Sequence, residues 1–352
     1  MDSSPDEFYM QRCLQLAKLG AGNVAPNPMV GAVLVYEGRI IGEGYHRQYG
    51  FAHAEVNCVH SVKPEDKPLI PASTMYVSLE PCAHYGKTPP CAELIVSQNI
   101  STVVIGCVDT FSQVAGKGIE MLKAAGITVR TGVLEAAARE LNSRFFTFHE
   151  QKRSYIILKW AQNADGFMAG ADGRPVRISD KLTDRLVHRW RSEEMGILVG
   201  TNTAVADNPR LNNRLWTGKD PVRIVIDRTL KTPHNYHLWH GAATLFITGE
   251  QAGKQDTAEM VTADFAQPLL PQLMKILHDR RILSVLIEGG AHVLKEMIAA
   301  GLWDEARVII GDNPLAQGVK APVLPHALLK ETYTLESDQI LFYRNRKEEK
   351  TA

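Results

Sequence analysis

The chain has 352 residues, 45% apolar and 22% charged, with 39 basic and 39 acidic side chains and therefore no net formal charge. That length exceeds one ordinary hydrophobic core and predicts two domains. Balanced charge and 7% aromatic content argue against a nucleic-acid groove, and no run approaches the ~18 apolar residues of a membrane span. Five cysteines behind a polar start, Met-Asp-Ser-Ser-Pro-Asp-Glu with no apolar signal segment, fit a reducing, cytoplasmic setting with thiols available for metal.

In chain order, Ser4-Pro5-Asp6-Glu7 is a capping box with Pro at the first helical position, opening a helix with the stripe Phe8, Cys13, Leu14 and Ala17. Residues 30–36 and 39–45 read as strands of a hairpin turning at Glu37-Gly38. His53 starts a helix with Ala54, Cys58 and Val62 inward, and strand 74–79 delivers Pro81-Cys82 to a second helix start. Cys91 opens a helical stretch over 92–96; strand 102–108, helix 118–125, strand 128–133 and one helix over 134–149 follow. This alternation predicts a three-layer α/β domain over residues 1–150, with metal ligands at helix N-termini, where partial positive charge favours thiolates. The polar Gln151-Lys152-Arg153-Ser154 marks the boundary. A second α/β domain, 151–352, restarts with strand 155–161 and helix 182–191, whose apolar face is Leu182, Leu186, Val187 and Trp190. Strands 196–199, 222–227, 243–248 and 283–288 follow, then a helix from Gly289-Gly290 to about 300, strand 308–311 and a final hairpin over 333–344.

The chemistry concentrates in His53-Ala54-Glu55, Pro81-Cys82-Ala83-His84 and Thr88-Pro89-Pro90-Cys91. One imidazole and two thiolates leave a tetrahedral zinc with an open position, where bound water is acidified to a pKa of about 7. Glu55, two residues from His53, is the matching proton shuttle, and the set is that of hydrolytic deamination at a C–NH2 carbon. The usual signature is H-x-E followed by P-C-x-x-C; here the second Cys comes nine residues after the first, which points away from nucleic-acid editing enzymes. Two other readings compete: a nucleoside or nucleic-acid deaminase with an unrelated second domain, and a non-catalytic protein whose structural zinc would need a fourth ligand, with His84 the nearby candidate.

The second half lacks G-x-G-x-x-G, so a Rossmann site is not expected. Its best phosphate cradle is Ile287-Glu288-Gly289-Gly290-Ala291, a strand end running into a helix start, although a tight turn needing glycine explains it equally well. Asp207-Asn208-Pro209, with Arg191, Arg210 and Arg214 near in sequence, suits a phosphorylated substrate; taken alone, a solvated turn explains it better.

Together these residues resemble the bifunctional riboflavin-biosynthesis deaminase/reductase family. The first half does so through Pro26-Asn27-Pro28-Met29-Val30-Gly31-Ala32, His53-Ala54-Glu55 and the Pro81–Cys91 segment with its long inter-cysteine loop. The second does so through Leu158-Lys159-Trp160-Ala161, Asp165-Gly166, Gly200-Thr201-Asn202-Thr203, Asp207-Asn208-Pro209-Arg210-Leu211 and Glu288-Gly289-Gly290. The resemblance implies a cytidine-deaminase-like three-layer α/β/α domain followed by a dihydrofolate-reductase-like α/β domain. It implies C2 deamination of 2,5-diamino-6-ribosylamino-4(3H)-pyrimidinone 5′-phosphate, then NADPH-dependent reduction of the ribosyl group to ribityl. Under it His53, Cys82 and Cys91 bind Zn2+ and Glu55 is catalytic, while Asn27, His46, His84, Lys87 and Thr88 meet the pyrimidine and its phosphate. In the reductase, Ala161, Arg177, Thr203, Asp207 and Gly290 meet NADPH, and Lys159, Arg191, Leu211, Arg214 and Glu288 meet the substrate. A homo-oligomer acting on a small phosphorylated pyrimidine, with no nucleic-acid or membrane partner, is expected. Three positions depart from the family pattern: Asp109-Thr110-Phe111-Ser112 replaces Asp-Pro-Asn-Pro, Arg177 replaces Trp, and Pro175 replaces Ser. Arg177 is expected to reach a cofactor phosphate; a deaminase with an inactive reductase-like domain is the alternative.

Overall fold

The computed structural model describes residues 4–85, 89–110, 116–171, 173, 176–315 and 317–346. Lys87, Thr88, Pro175 and part of the 109–112 segment lie outside the described residues. The chain forms two compact units, Met1–Lys152 and Arg153–Ala352.

In the first unit, helix α1 (Pro5–Lys18) is opened by the Ser4/Glu7 capping box, both of whose reciprocal bonds form. Strands β1 (Gly31–Tyr36) and β2 (Arg39–Tyr45) pair as the hairpin, with Glu37 and Gly38 both at positive φ. Helix α2 (Ala54–Ser61), strand β3 (Thr74–Leu79), helix α3 (Cys91–Ser97), strand β4 (Thr102–Cys107), helix α4 (Lys117–Ala124) and strand β5 (Thr128–Thr131) follow. The sheet order is β2-β1-β3-β4-β5, antiparallel between β1 and its neighbours and parallel from β3 to β5. The strand period of two builds the layers. Ala32, Leu34, Met75, Val77, Val103 and Ile105 pack on α2, α3 and α4, whereas Val33, Val35, Tyr76 and Val104 pack on α1.

Four expectations change here. Pro81-Cys82 begins no helix: the described residues 81–85 and 89–90 are irregular, and the next helix opens at Cys91. Residues 134–149 form two helices, α5 (Glu135–Leu141) and α6 (Ser143–Gln151), because Asn142 leaves helical geometry and spends its side chain on the backbone of Met29. Phe8 lies outside the α1 stripe, 61% exposed and edge-on to Tyr9, while Met10 and Leu16 fill the core instead. Leu182 is likewise more than one-third exposed, and the inner face of its helix carries Thr183 and His188 beside Val187 and Trp190.

The second unit comprises β6 (Tyr155–Asn163), β7 (Phe167–Ala169), α7 (Lys181–Glu193), β8 (Gly196–Gly200), α8 (Thr201–Asp207), β9 (Val222–Ile226), β10 (Thr244–Thr248), β11 (Gly253–Gln255), β12 (Ala258–Thr262), α9 (Leu269–Asp279), β13 (Ser284–Ile287), α10 (Ala291–Ala299), β14 (Glu305–Gly311), β15 (Val319–Lys320), β16 (Ala327–Leu335) and β17 (Asp338–Asn345). Its main sheet runs β11-β12-β10-β9-β8-β13-β6-β14-β17-β16, parallel from β12 to β14 and antiparallel at both margins. One face packs Leu158, Leu198, Val285, Ile287 and Val308 on α9 and α10. The other packs Ile157, Leu286 and Ile309 on Val187 and Trp190 of α7, with Val199 and Val225 beside Ala204 of α8. A parallel sheet covered on both faces offers ligands the crevice outside the carboxyl ends of its strands. There β8 runs into α8, and β13 into Glu288-Gly289-Gly290 and α10.

Candidate active sites

In the first unit, three side chains from separate segments meet. His53 caps α2, Cys91 is the first residue of α3, and Cys82 lies in the irregular segment after β3. The His53 Nδ1 atom is 3.5 Å from Cys82 Sγ and 3.4 Å from Cys91 Sγ, and all three ligand atoms lie within 4.8 Å of one another. One His and two Cys at that spacing fit a zinc ion held by three protein ligands. Among the described residues no fourth His, Cys, Asp or Glu joins them, and His84 is exposed. Cys82 is the more acidic thiol, held below the usual range by the hydrogen bond from Cys91, by His53 and by the Cys91 backbone N–H 3.3 Å away. The helix end that serves Cys82 is thus the one opened by Cys91, rather than one of its own.

Glu55, in the first turn of α2, is buried at 3% exposure, and burial pushes its carboxyl above the ordinary range. Beside the cluster, His46 sits edge-on to His53 with ring centroids 5.1 Å apart. Its Nδ1 meets the Ala52 carbonyl at 3.1 Å, so Nδ1 carries the proton and Nε2 accepts from Asn27 Nδ2 at 3.1 Å. Glu80, which the sequence reading did not single out, takes backbone N–H donors from Asp109, Gly116, Gly118 and Ile119. It ties the approach to α4 to the residue before Pro81-Cys82. Its signal was present in the sequence only as a charge ending an apolar strand.

In the second unit, Glu288 at the end of β13 is gripped by Arg191 of α7 through two bonds of 2.8 Å, with Lys159 Nζ of β6 at 3.8 Å. All three side chains are nearly buried. Burial alone would push Glu288 up, but Arg191 and Lys159 outweigh it and hold the carboxyl at about 2. Burial lowers the Lys159 ammonium, opposed by Glu288. His188 is lowered to about 4 by burial and by the charges of Arg191 and Arg214, and its Nδ1 accepts the Arg214 backbone N–H at 3.0 Å. Arg214 also reaches Asn212 Oδ1, and the Asn212 carbonyl accepts from Arg191, so the segment after α8 joins the same cluster. Leu211 in that segment is buried at φ 52°.

The glycine turn lies next to this cluster. Gly289 has φ 126°, and a Cβ on Gly290 would come within 2.9 Å of Thr203 Oγ1. The Gly200 N–H donates to the Gly289 carbonyl at 3.2 Å, joining the ends of β8 and β13. Backbone freedom and open amides at the start of α10 therefore coincide, and the cradle fits a dinucleotide phosphate. Ala161 is on β6, Thr203 and Asp207 are on α8. Arg177 forms an exposed ion pair with Asp184 of α7 at 2.9 Å.

Residues 3–107 match the family described as the cytidine and deoxycytidylate deaminase zinc-binding region, and residues 154–339 match the RibD C-terminal domain. The riboflavin biosynthesis protein RibD of Aquifex aeolicus is 37% identical over 95% of this chain and 95% of its own. The chain belongs to the RibD family. RibD of Bacillus amyloliquefaciens is 40% identical over 87% of this chain and 85% of its own. Among solved structures, the diaminohydroxyphosphoribosylaminopyrimidine deaminase/5-amino-6-(5-phosphoribosylamino)uracil reductase of Thermotoga maritima superposes with a TM-score of 0.88 at 34% identity, covering 97% of this chain and 99% of that one. Acinetobacter baumannii RibD superposes at 0.87 with 31% identity, covering 97% and 99%. As a RibD-family chain, the protein is a bifunctional enzyme of riboflavin biosynthesis, a zinc-dependent deaminase joined to an NADPH-dependent reductase. It acts on a small phosphorylated pyrimidine. Among the described residues no helix is long and apolar enough to cross a membrane.

Proposed function

We propose that the first unit deaminates 2,5-diamino-6-ribosylamino-4(3H)-pyrimidinone 5′-phosphate at C2 and that the second reduces the ribosyl group of the product to ribityl. The observation that carries this reading is the meeting of His53, Cys82 and Cys91 within 4.8 Å, in a unit whose chain continues into a reductase-type α/β unit. His53, Cys82 and Cys91 hold the zinc, which when bound supplies Lewis acidity and an acidified water. Glu55, buried in the first turn beyond His53, carries the proton to the departing amine. Asn27 and His46 orient the pyrimidine, and His84, Lys87 and Thr88 meet the remaining edge and the phosphate.

In the reductase, Ala161, Arg177, Thr203, Asp207 and Gly290 bind NADPH, which supplies the hydride. Arg191 and Arg214 receive the substrate phosphate, Leu211 packs on the substrate, and Glu288 accepts from its hydroxyl or N–H groups. Lys159, a buried ammonium 3.8 Å from Glu288, protonates the ribose oxygen as the ring opens toward the electrophilic imine. Arg177 retains its Asp184 partner until a cofactor phosphate competes for it. Cytoplasmic location and a homo-oligomeric state complete the proposal, the latter to be read by sedimentation velocity.

The test follows ammonia and NADPH together in zinc-loaded protein given this substrate. Ammonia followed by matching NADPH oxidation supports both halves. Ammonia without NADPH loss leaves the reductase unit inactive, and neither signal refutes the substrate.

A further inference from the structure

We propose that Asn142 is a positioning residue of the deaminase pocket, acting from the break between α5 and α6 on the Asn27–His46 pair. Asn142 lies well beyond the matched zinc-binding region, which ends at residue 107, yet its side chain clasps the loop that carries Asn27. Asn142 Oδ1 accepts the Met29 N–H at 2.8 Å, and Nδ2 donates to the Met29 carbonyl at 2.9 Å. The amide thus copies one rung of an antiparallel ladder, and at 3% exposure it does so out of water's reach.

What the clasp controls follows from the neighbours of Met29. Two residues back is Asn27, whose own N–H is tied to the Val24 carbonyl at 2.9 Å and whose side-chain nitrogen donates to His46 Nε2. One residue on, the Val30 carbonyl accepts the His46 backbone N–H at 2.9 Å. Gly31 then enters β1 with its N–H on Ser78 Oγ at 3.1 Å, in a space where a Cβ would meet the Cys13 carbonyl. Residues 27–31 are therefore a short span fixed to the sheet at its far end, and Asn142 is the side chain that fixes its middle. Both ring nitrogens of His46 depend on that span or on the Ala52 carbonyl: Nδ1–H is given to Ala52, so Nε2 must accept, and Asn27 must present Nδ2 to it. Removing the clasp frees the peptide that links the two members of the pair.

The proposal rests on the reading of Asn27 and His46 as pyrimidine contacts, so its test separates the two. In full-length, zinc-loaded Asn142→Ala, the His46 ring signals in 15N-histidine spectra should move from the single Nδ1–H tautomer toward a mixture. The deaminase KM should rise about tenfold, with kcat changed by no more than roughly threefold. Zinc content and NADPH oxidation on already deaminated substrate should be unchanged. A residue needed only for stability would lower the melting temperature without moving the tautomer or the KM. Wild-type His46 signals and wild-type KM would overturn the proposal. Shifted His46 signals with an unchanged KM would leave the clasp standing and refute the contact reading, which Asn27→Ala checks separately. If Asn142→Ala fails to fold, Asn142→Ser keeps a neutral hydroxyl that is too short to meet both the Met29 N–H and the Met29 carbonyl. A KM increase of the same sign is expected there, and wild-type behaviour would again overturn the proposal.

Discussion

Two buried glutamates show how environment divides labour between identical side chains. Among the described residues Glu55 forms no ion pair, and burial outweighs the opposing charge of His53 and pushes it up, whereas Glu288 is pulled down to about 2 because Arg191 and Lys159 outweigh the same burial. The first suits a group that must carry a proton, the second a permanent anion that organises cations. Glu55→Gln cannot carry the proton, so ammonia release should fall by on the order of 10²–10⁴-fold. Zinc stoichiometry, read by atomic absorption, should not change; loss of metal with activity would instead make Glu55 a structural support of the site. For Glu288 the sign follows from its depression: a carboxyl at about 2 folded and 4.5 ordinarily contributes stability above pH 4.5, lost as pH falls toward 2. The stability gap between wild type and Glu288→Gln, measured by urea denaturation, should shrink by about 2 kcal/mol between pH 5 and pH 3. A constant gap would mean that Glu288 is not ionised in the folded unit.

Among the elements, the pairing of α2 with β2 sets the deaminase geometry. Gly42 and Gly44 of β2 lie beneath α2 so closely that a Cβ at Gly44 would sit 2.3 Å from the Cys58 backbone N, and one at Gly42 2.7 Å from the Cys58 carbonyl. Those glycines let the helix bearing Glu55, with His53 at its cap, lie directly on the sheet. Gly44→Ala should lift α2, costing roughly 1–3 kcal/mol as overpacking does, and weaken zinc binding in a competition assay with a chromogenic chelator. Unchanged zinc affinity at reduced stability would separate the helix from the site. Element types were largely legible from periodicity, because β1, β3 and β4 alternate faces and α1 carries its own cap. The elements that escaped are those whose cause is not local. α5 and α6 read as one helix because Asn142 is broken out by Met29, a residue 113 positions away. Cys82 looked like a helix start because the amide that serves it belongs to Cys91.

For the molecule as a whole, two compact units carry two chemistries, with His53, Cys82 and Cys91 in the first and Lys159, Arg191 and Glu288 in the second, so removing one cofactor should spare the other reaction. Chelation of zinc by dipicolinate should abolish ammonia release and leave NADPH oxidation on already deaminated substrate at its starting rate. Parallel loss of both would contradict independent centres. The sequence by itself determined the donor set and much of the order of elements. Metal-ligand chemistry needs particular side chains, and His53, Glu55, Cys82 and Cys91 are spelled out in short motifs. The resemblance also supplied the residues proposed for the reductase. Only tertiary structure decided how those residues act on one another: Glu288 becomes an anion through Arg191, 97 positions away, and Met29 is held by Asn142. A pKa or a clasp is a property of neighbours brought together by folding, and no window along the chain contains them.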